Sequence, residues 1–306
     1  MNHKSRGENS MSKERIGFVG VGLMGHGIAK NLLKNGYPLT LIAHKNRAPM
    51  EDLLAQGAQE AKSLSDLAIQ STVIHICAPG SPQVEAIVEE LLPTLSEEAV
   101  VVDCSTSNPN STVALAKQLK TRGCHMADAP LGGTPVQAEA GELATMVGAD
   151  EHVFERLLPV FQTWAKSVVH LGQIGSGHKM KLLNNFLSLG YAALYSEALA
   201  LSEKVGISTE QFDSVIRGSR MDCGFYQTFM GYAVEGNRDS HKFTMKNALK
   251  DLRYLEAMAD EAAMANPIGN AIKNSFAMAC SAGGDGAEDY VPHLVDFVAQ
   301  RNGVNK

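Results

Sequence analysis

A glycine-rich turn near the amino terminus is the feature that most constrains the fold of this chain. The segment GVGLMG (20–25) follows the apolar run RIGFVG (15–20) and precedes a helical pattern, so G-x-G-x-x-G lies between a strand and a helix. There Gly20 permits a tight turn, Gly22 lets the backbone approach a pyrophosphate, and Gly25 allows close packing. The turn therefore predicts a dinucleotide-binding site; a strand–helix turn without a ligand is the less favoured alternative.

The pattern after this turn alternates between short β-branched runs and amphipathic segments of helical length. The predicted strands cover residues 15–20, 38–43, 72–78, 99–105, 125–130, 144–149 and 167–172. Such alternation is typical of a mostly parallel, doubly wound α/β sheet. We therefore expect an amino-terminal Rossmann domain.

After about residue 176 the sequence predicts helices alone. The predicted helices cover residues 178–205, 208–217, 245–264, 267–282 and 289–301. We therefore expect a polar extension at 1–13, a Rossmann domain at 14–176 and an all-helical domain at 177–306, with a long helix joining the two domains. The extension has no hydrophobic signal core.

Composition argues against several classes of function. A chain of 306 residues suffices for two domains, and its 44% apolar and 20% charged residues are typical of a globular protein. A formal net charge of -6 without a basic run argues against a nucleic-acid partner. The five cysteines are scattered and the histidines lack metal-ligand spacing, so we expect no disulfide, no metal and a cytoplasmic location.

The segment GHKMKLLNN (177–185) places polar side chains at the start of an apolar helix. Lys181 and Asn185 lie four residues apart and share one helical face. No charged side chain occurs from Leu182 to Ser196, which predicts a largely buried helix and no membrane span. The alternative is a lysine that extends to solvent beside locally bonded asparagines.

The loop after the second predicted strand bears on the choice of dinucleotide. NAD sites usually carry an acidic residue about twenty residues after the glycines, where it binds the ribose 2′-hydroxyl. Here the sequence reads AHKNR (43–47), with Lys45 and Arg47 and no acid. We therefore expect NADP(H) to be favoured over NAD(H), with solvated loop charges as the alternative.

Five blocks of sequence resemble the β-hydroxyacid dehydrogenase family, which includes 3-hydroxyisobutyrate dehydrogenase, tartronate semialdehyde reductase and glyoxylate–succinic semialdehyde reductase. The blocks are GFVGVGLMGHGIAKNL (17–32), VVDCSTSNP (101–109), DAPLGGTPVQAEAGEL (128–143), GSGHKMKLLNN (175–185) and FTMKNALKDL (243–252). They occur in the order found in the family and cover nearly the whole chain from Arg15 onward.

The resemblance implies roles for individual residues. Lys181 would be the catalytic lysine and Asn185 its companion in catalysis and substrate binding. Ser105 and Thr106 would lie near the nicotinamide and its ribose, and Lys250 would reach toward the cofactor. The residues expected to bind the cofactor are Gly20, Gly22, Leu23, Met24, Gly25, His44, Lys45, Arg47, Ala78, Pro79, Thr106 and Lys250. The residues expected to bind the substrate are Ser105, Gly132, Gly133, Thr134 and Asn185.

One departure from the family pattern concerns the substrate loop. Family members usually read S-G-G after D-A-P and one apolar residue, whereas this chain reads Gly132-Gly133-Thr134. The serine hydroxyl is absent and a threonine follows two positions later. We expect an altered pocket whose backbone N–H groups can still bind a carboxylate.

Four further side chains are weaker candidates. His26 is expected in the first helical turn beside the phosphates, and His178 is expected to pack or face solvent rather than to act on a substrate. Arg220 and Tyr226 lie in the segment 219–227, which either contributes to substrate recognition or forms an ordinary turn between helices.

A lysine beside a carbonyl can stabilise the charge that develops during reduction and donate the proton that completes the alcohol. We therefore expect an oxidoreductase that interconverts a small 3-hydroxy acid and its semialdehyde with NADP(H), with Lys181 as general acid and base. The alternatives are an imine reductase, which generally lacks the family lysine, and a protein that binds dinucleotide without turnover. A homodimer or homotetramer, formed through a helical domain like that of 6-phosphogluconate dehydrogenase, is also expected.

Overall fold

The computed structural model describes residues 13–42, 46–282 and 286–304, which fall into two compact units. The first unit consists of the chain up to Ala78, Pro82–Ser105 and Val113–Ile174. The second unit consists of Pro79–Ser81, Thr106–Thr112 and the chain from Gly175 onward. Two short segments from the first half of the chain therefore belong to the second unit.

The first unit is built on a six-stranded parallel sheet. Its strands are β1 (Ile16–Val19), β2 (Leu39–Ile42), β3 (Gln59–Ala61), β4 (Val73–Ile76), β5 (Val100–Asp103) and β6 (His125–Asp128). They lie side by side in the order β3-β2-β1-β4-β5-β6, and every neighbouring pair is parallel. The chain changes direction across the sheet between β1 and β4, and ligands of such sheets bind outside the carboxyl ends of the strands at that point.

A smaller, three-stranded sheet follows. It contains β7 (Leu131–Gly132), β8 (Leu143–Val147) and β9 (Ala165–His170), with β8 in the middle. The helices of this half of the chain are α1 (Gly25–Lys34), α2 (Ala48–Ala55), α3 (Leu64–Gln70), α4 (Ser81–Leu91), α5 (Pro109–Lys120), α6 (Pro135–Ala140) and α7 (Glu151–Phe161). The helix α1 shows why such segments form helices against the sheet, because it buries Ile28, Ala29 and Leu32 on one face.

The predicted doubly wound α/β fold is confirmed, since each predicted strand segment overlaps a strand. Two strands were missed. The strand β3 has only three residues and exposes two of them, and β7 has only two residues, so neither gives a readable alternation. The last two predicted strands, β8 and β9, pair with each other in the smaller sheet rather than in the main one.

The second unit is helical, as the sequence predicts. Its helices are α8 (Ser176–Lys204), α9 (Thr209–Ile216), α10 (Gly224–Ala233), α11 (Met245–Glu261), α12 (Pro267–Ser281) and α13 (Leu294–Arg301), with a short 3-10 helix at Val291–His293. The helix α10 was not predicted, because it begins inside a segment that looks like a turn and is capped by the sulfur of Cys223. Within the described part of the chain, no helix is long and apolar enough to cross a membrane.

The prediction that α8 is largely buried is wrong for one of its faces. Leu182, Leu189 and Leu199 are buried in the core of the second unit. A row of apolar side chains is exposed instead: Met180, Leu183, Leu187, Tyr191, Leu194 and Leu201 are 41–65% exposed. The lack of charge from Leu182 onward therefore does not mean burial within this chain, and we refer to these six residues as the α8 stripe.

A buried histidine lies in the core of the first unit. His75 on β4 is fully buried, with its ring stacked on Phe18 at a centroid distance of 5.7 Å and facing the edge of Trp164 at 6.3 Å. Neither ring nitrogen has a hydrogen-bond partner among the described residues. Burial lowers the pKa of His75 from 6.5 to about 3, because an unpartnered imidazolium would lose its hydration.

Acid should therefore destabilise the chain through His75. The unfolded chain takes up a proton at this ring below pH 6.5, whereas the folded chain does so only near pH 3, so stability falls as the pH drops through this window. The substitution His75→Leu removes this difference. Relative to wild type, the free energy of unfolding of this variant should be about 1 kcal/mol larger at pH 5.5 than at pH 7.5, which means that the variant is relatively more stable in acid.

Denaturant titrations at the two pH values measure this change. The substitution His152→Gln, at an exposed position on α7, serves as the control for the removal of a histidine from the surface. The same pH dependence in His75→Leu as in wild type would show that His75 does not contribute to acid sensitivity.

Candidate active site

The turn after β1 contains three glycines of the motif. Two of them have no room for a side chain, and the third has open space beside it. Gly20 has a φ of 99°, and a Cβ there would lie 2.1 Å from the carbonyl oxygen of Cys77. A Cβ on Gly25 would lie 2.0 Å from the carbonyl oxygen of Gly20. A Cβ on Gly22 would have no atom within 4 Å. The backbone at Gly22 is therefore open to a ligand, as the pyrophosphate of a dinucleotide requires.

The start of α1 continues this turn. Leu23 is 74% exposed, while Met24 occupies the residue before the helix and packs against the core. His26 lies in the first turn of α1, as expected, and both of its ring nitrogens face carboxylates. Its Nδ1 is 2.5 Å from Glu139 on α6 and its Nε2 is 3.0 Å from Asp52 on α2. The ring therefore connects three helices.

The residues expected to select the dinucleotide lie beyond the end of β2. His44 and Lys45 fall outside the described residues. Arg47 donates from Nη1 and Nη2 to the two carboxylate oxygens of Glu60, at 2.8 and 3.0 Å, and from Nε to Glu51 at 3.0 Å. The loop itself has no acid, but folding brings two acids to its arginine. Glu60 comes from β3, which the sequence did not predict.

In the second unit, α8 and α11 bring together a lysine, an asparagine and an aspartate. Lys181 and Asn185 lie one turn apart on α8, and Asn185 Nδ2 donates to Asp251 Oδ2 at 2.7 Å. Asp251 on α11 is 2% exposed, and its Oδ1 lies 3.2 Å from Nζ of Lys250. That oxygen accepts no well-aligned hydrogen bond from the described residues. One carboxylate oxygen therefore accepts a hydrogen bond from Asn185, and the other lies next to the Lys250 ammonium.

The electrostatics of this cluster act on the Lys181 amine. Burial lowers the pKa of Lys181, the Asp251 carboxylate opposes that shift, and the charge of Lys250 adds to it. Burial raises the pKa of Asp251, against the opposing effects of Lys250, Lys181 and Asn185. Burial and the charge of Lys181 lower the pKa of His241. Lys181 therefore releases its proton more readily than an exposed lysine, which suits a general acid and base.

Lys250 contacts two of the other residues that were expected to bind the cofactor. Its Nζ donates to the carbonyl oxygens of Pro79, at 2.6 Å, and Thr106, at 3.0 Å. The same amine lies 5.5 Å from the ring centroid of Tyr254, whose hydroxyl accepts a hydrogen bond from the Ser81 N–H at 3.2 Å. Lys250 thus holds the segments 79–81 and 106–112 of the second unit together.

Ala78 and Ser105 lie at the carboxyl ends of neighbouring strands in the first unit. The N–H of Ala78 donates to the hydroxyl oxygen of Ser105 at 2.9 Å, and the N–H of Ser105 donates to Asp103 Oδ1 at 2.8 Å. Ser105 is buried, at 3% exposure. Its side chain therefore ties the ends of β4 and β5 together.

The threonine of the altered substrate loop has a local structural role. The Thr134 hydroxyl accepts a hydrogen bond from the Gln137 N–H at 3.4 Å, and Gln137 Oε1 accepts one from the Thr134 N–H at 2.9 Å. This capping box begins α6. A Cβ on Gly132 would lie 3.6 Å from Ala144, an ordinary contact, whereas Gly133 has a φ of 126° that favours glycine. A Cβ would therefore fit at Gly132 without displacing a neighbour.

The weaker candidates lie mostly in structural positions. His178 is buried and its Nδ1 lies 2.8 Å from the hydroxyl of Thr112. Tyr226 is fully buried on α10, where its hydroxyl donates to Asp213 at 3.0 Å, and Arg220 is exposed.

Sequence reasoning missed Asp251 and Glu60. Asp251 follows Lys250 directly in the block FTMKNALKDL (243–252). Its position next to a predicted cofactor-binding residue was the one sequence feature that pointed to it. No local signal pointed to Glu60, because β3 is too short to be recognised and the contact with Arg47 spans thirteen residues of the chain.

Comparison with known proteins gives two matches to family models. Residues 15–172 match the NAD binding domain of 6-phosphogluconate dehydrogenase. Residues 175–293 match the domain described as NAD-binding of NADP-dependent 3-hydroxyisobutyrate dehydrogenase. Together the two models account for nearly the whole chain.

Individual proteins of known name are also similar to this chain. The chain is 36% identical over 208 residues to 2-(hydroxymethyl)glutarate dehydrogenase of Eubacterium barkeri, covering 66% of this chain and 68% of that protein. It is 27% identical over 274 residues to glyoxylate/succinic semialdehyde reductase 1 of Arabidopsis thaliana, covering 88% and 93%. The solved structure of 3-hydroxyisobutyrate dehydrogenase from Mycobacterium tuberculosis with L-serine aligns with a TM-score of 0.84 at 23% identity, over 94% of this chain and 99% of that one. That last likeness shows a shared fold.

Proposed function

The chain belongs to the β-hydroxyacid dehydrogenase family of nicotinamide-dependent oxidoreductases, and we propose that it interconverts a small 3-hydroxy acid and its semialdehyde. The observation that carries the proposal is the Lys181 amine. It lies one helical turn from Asn185, its pKa is lowered by burial, and it interacts with the charges of Asp251 and Lys250. Those are the properties that a proton donor to a substrate oxygen needs.

The proton moves between Lys181 and the substrate oxygen. When bound, the dinucleotide supplies or accepts the hydride. During reduction, the ammonium of Lys181 stabilises the charge on the carbonyl oxygen and donates a proton to it, leaving a neutral amine and an alcohol. During oxidation, the neutral amine accepts the proton of the hydroxyl. Because burial lowers the pKa of Lys181, less free energy is required to reach the neutral form than for an exposed lysine.

Asn185 and Asp251 support this proton transfer in different ways. The Asn185 amide is oriented by its hydrogen bond to Asp251, which leaves Asn185 Oδ1 to accept a hydrogen bond from a substrate hydroxyl. The Asp251 carboxylate stabilises the ammonium form of Lys181 and so keeps the acid available for reduction. Asp251 is thus a positioning residue that acts through its two neighbours.

The preference for NADP(H) over NAD(H) is part of the proposal. Arg47 lies beyond the carboxyl end of β2, where a 2′-phosphate is recognised in this type of sheet, and the sequence adds Lys45 to the same loop. The absence of an acid from residues 43–47 removes the usual ligand of the ribose 2′-hydroxyl.

The substrate class follows from the loop Gly132-Gly133-Thr134. We propose that the backbone N–H groups of Gly132 and Gly133 bind the acid group, because both the hydroxyl and the N–H of Thr134 are engaged in the capping box of α6. Gly132 stands where the family pattern has a serine, so backbone groups rather than that hydroxyl supply the contacts to the acid group in this proposal. Glyoxylate, succinic semialdehyde and 2-(hydroxymethyl)glutarate, which appear in the relatives' names, belong to the compounds to be tested.

An imine reductase and a dinucleotide-binding protein without turnover are the alternatives. Neither would require a partly buried lysine with a lowered pKa next to a buried aspartate. Lys181 therefore favours the semialdehyde reductase. A cytoplasmic location stays a prediction, supported by five cysteines that are all free.

A homo-oligomer formed through the α8 stripe is also part of the proposal. Its six apolar side chains follow one face of a 29-residue helix, and the described residues leave them 41–65% exposed. Sedimentation of the wild type should give the mass of a dimer or tetramer. The substitution Leu194→Glu should lower that mass, whereas Val215→Glu, at an exposed apolar position on α9, should not. A wild-type mass equal to one chain would contradict this part.

Replacement of Lys181 tests the proposed reaction. The substitution Lys181→Ala should keep NADP⁺ binding and folding while lowering kcat by about a hundredfold or more, the contribution typical of a general acid. The assay is NADPH oxidation with glyoxylate, succinic semialdehyde and other short aldehyde acids. The substitution Lys179→Ala, two residues away on the exposed face of α8, is the matched control and should retain turnover. Near-normal turnover in Lys181→Ala would remove this residue from the mechanism.

Replacement of Asp251 by its neutral isostere, asparagine, tests whether the Asp251 charge acts on the pKa of Lys181. The Asp251 carboxylate raises the pKa of Lys181, so Asp251→Asn should lower it further. Reduction needs the ammonium form and declines as the pH rises through the pKa of Lys181. The alkaline limb of kcat/KM for reduction should therefore move to lower pH in Asp251→Asn. A limb that stays in place, or moves to higher pH, would show that Asp251 does not act on Lys181.

A further inference from the structure

The guanidinium of Arg47 is held by two carboxylates in the first unit. Glu60 accepts a bidentate pair of hydrogen bonds from Nη1 and Nη2, at 2.8 and 3.0 Å. Glu51 accepts one hydrogen bond from Nε, at 3.0 Å. The two bonds to Glu60 form the parallel fork that makes arginine–carboxylate pairs specific. The same two N–H groups, on Nη1 and Nη2, would also bind a phosphate.

Among the described residues, the acids that contact Arg47 outnumber its single positive charge. Glu51 and Glu60 carry two negative charges against one positive charge, and Asp52, the next residue on α2, faces His26. Hydrogen bonds from Arg47 lower the pKa of Glu60, so this carboxylate is ionised at neutral pH. Any anion that binds the guanidinium of Arg47 must therefore displace the Glu60 carboxylate or share the Nη1 and Nη2 donors with it.

The positions of these residues make that competition relevant to the cofactor. Glu60 lies on β3 opposite Leu41 of β2, and Arg47 precedes α2. In a doubly wound sheet the adenosine ribose is recognised beyond the carboxyl end of the second strand. A 2′-phosphate, which NADP(H) carries and NAD(H) lacks, would have to draw Arg47 away from Glu60.

We propose that Glu60 determines how strongly this chain discriminates between NADP(H) and NAD(H), because it competes with the 2′-phosphate for the guanidinium of Arg47. Glu60 is a specificity-determining residue that acts through Arg47. The inference rests on the proposed function only in placing the adenosine ribose of the dinucleotide beyond β2. It requires neither a particular substrate nor a role for Lys181.

The test is direct binding of NADP⁺ and NAD⁺ by isothermal titration calorimetry at low ionic strength. The substitution Glu60→Gln keeps the shape and one acceptor oxygen but removes the charge. It should lower the Kd for NADP⁺ by about three- to fivefold, within the range that an exposed ion pair contributes. The Kd for NAD⁺ should change by less than about twofold, because NAD⁺ has no 2′-phosphate to compete for Arg47.

Two further variants separate this mechanism from its alternatives. In Arg47→Gln the Kd for NADP⁺ should rise relative to that for NAD⁺, and adding Glu60→Gln to that variant should have no further effect. The substitution Glu155→Gln removes a negative charge at an exposed position on α7 and should leave both Kd values unchanged.

Three outcomes would overturn the inference. The first is a Kd for NADP⁺ that Glu60→Gln leaves unchanged, and the second is an equal change for both dinucleotides, which would indicate a role in folding alone. The third is an undiminished effect of Glu60→Gln in the Arg47→Gln background, which would mean that Glu60 repels the phosphate directly. Because every readout is a binding constant, these results are independent of whether the chain reduces a semialdehyde.

Discussion

Burial of the Lys181 amine beside the Asp251 carboxylate is the interaction on which the proposed chemistry depends. A lysine in water holds its proton too firmly to exchange it readily at neutral pH, and burial weakens that hold. A buried aspartate without a cation would be costly, and Lys250 and Lys181 supply the opposing charge. Asn185 completes the cluster by a hydrogen bond to the same carboxylate. Four polar side chains thus stabilise one another inside the helical unit.

The glycine-rich turn of the first unit is subject to a different constraint, because steric contacts decide which of its residues can carry a side chain. Gly20 and Gly25 are required because any side chain would collide with the backbone of the turn, whereas Gly22 leaves the backbone open. In the proposed function, selection between dinucleotides depends on charges that the turn does not contain. Arg47 lies beyond the carboxyl end of β2 and donates hydrogen bonds to two carboxylates. We therefore propose that separate parts of the first unit bind the pyrophosphate and select the ribose.

Local patterns were sufficient to predict the sheet, the glycine turn and the helix that carries Lys181, because each depends on residues close together in sequence. The same patterns could not reveal Asp251 as a partner of Asn185, since that contact joins residues 66 positions apart. Glu60 was missed for a related reason, because β3 is defined by pairing with β2 and has no pattern of its own. The lack of charge from Leu182 to Ser196 on α8 predicts burial, although exposed apolar residues give the same sequence signal.

The most direct test of the central claim is the pKa of the Lys181 amine itself. It can be measured from the pH dependence of acetylation by trace acetic anhydride, followed for the peptide that contains Lys181 by mass spectrometry. Burial predicts a pKa below the ordinary value of 10.5 in the wild type, and a lower one still once the Asp251 charge is removed. A pKa at or above 10.5 would contradict the account, because Lys181 would then hold its proton as firmly as a lysine in water.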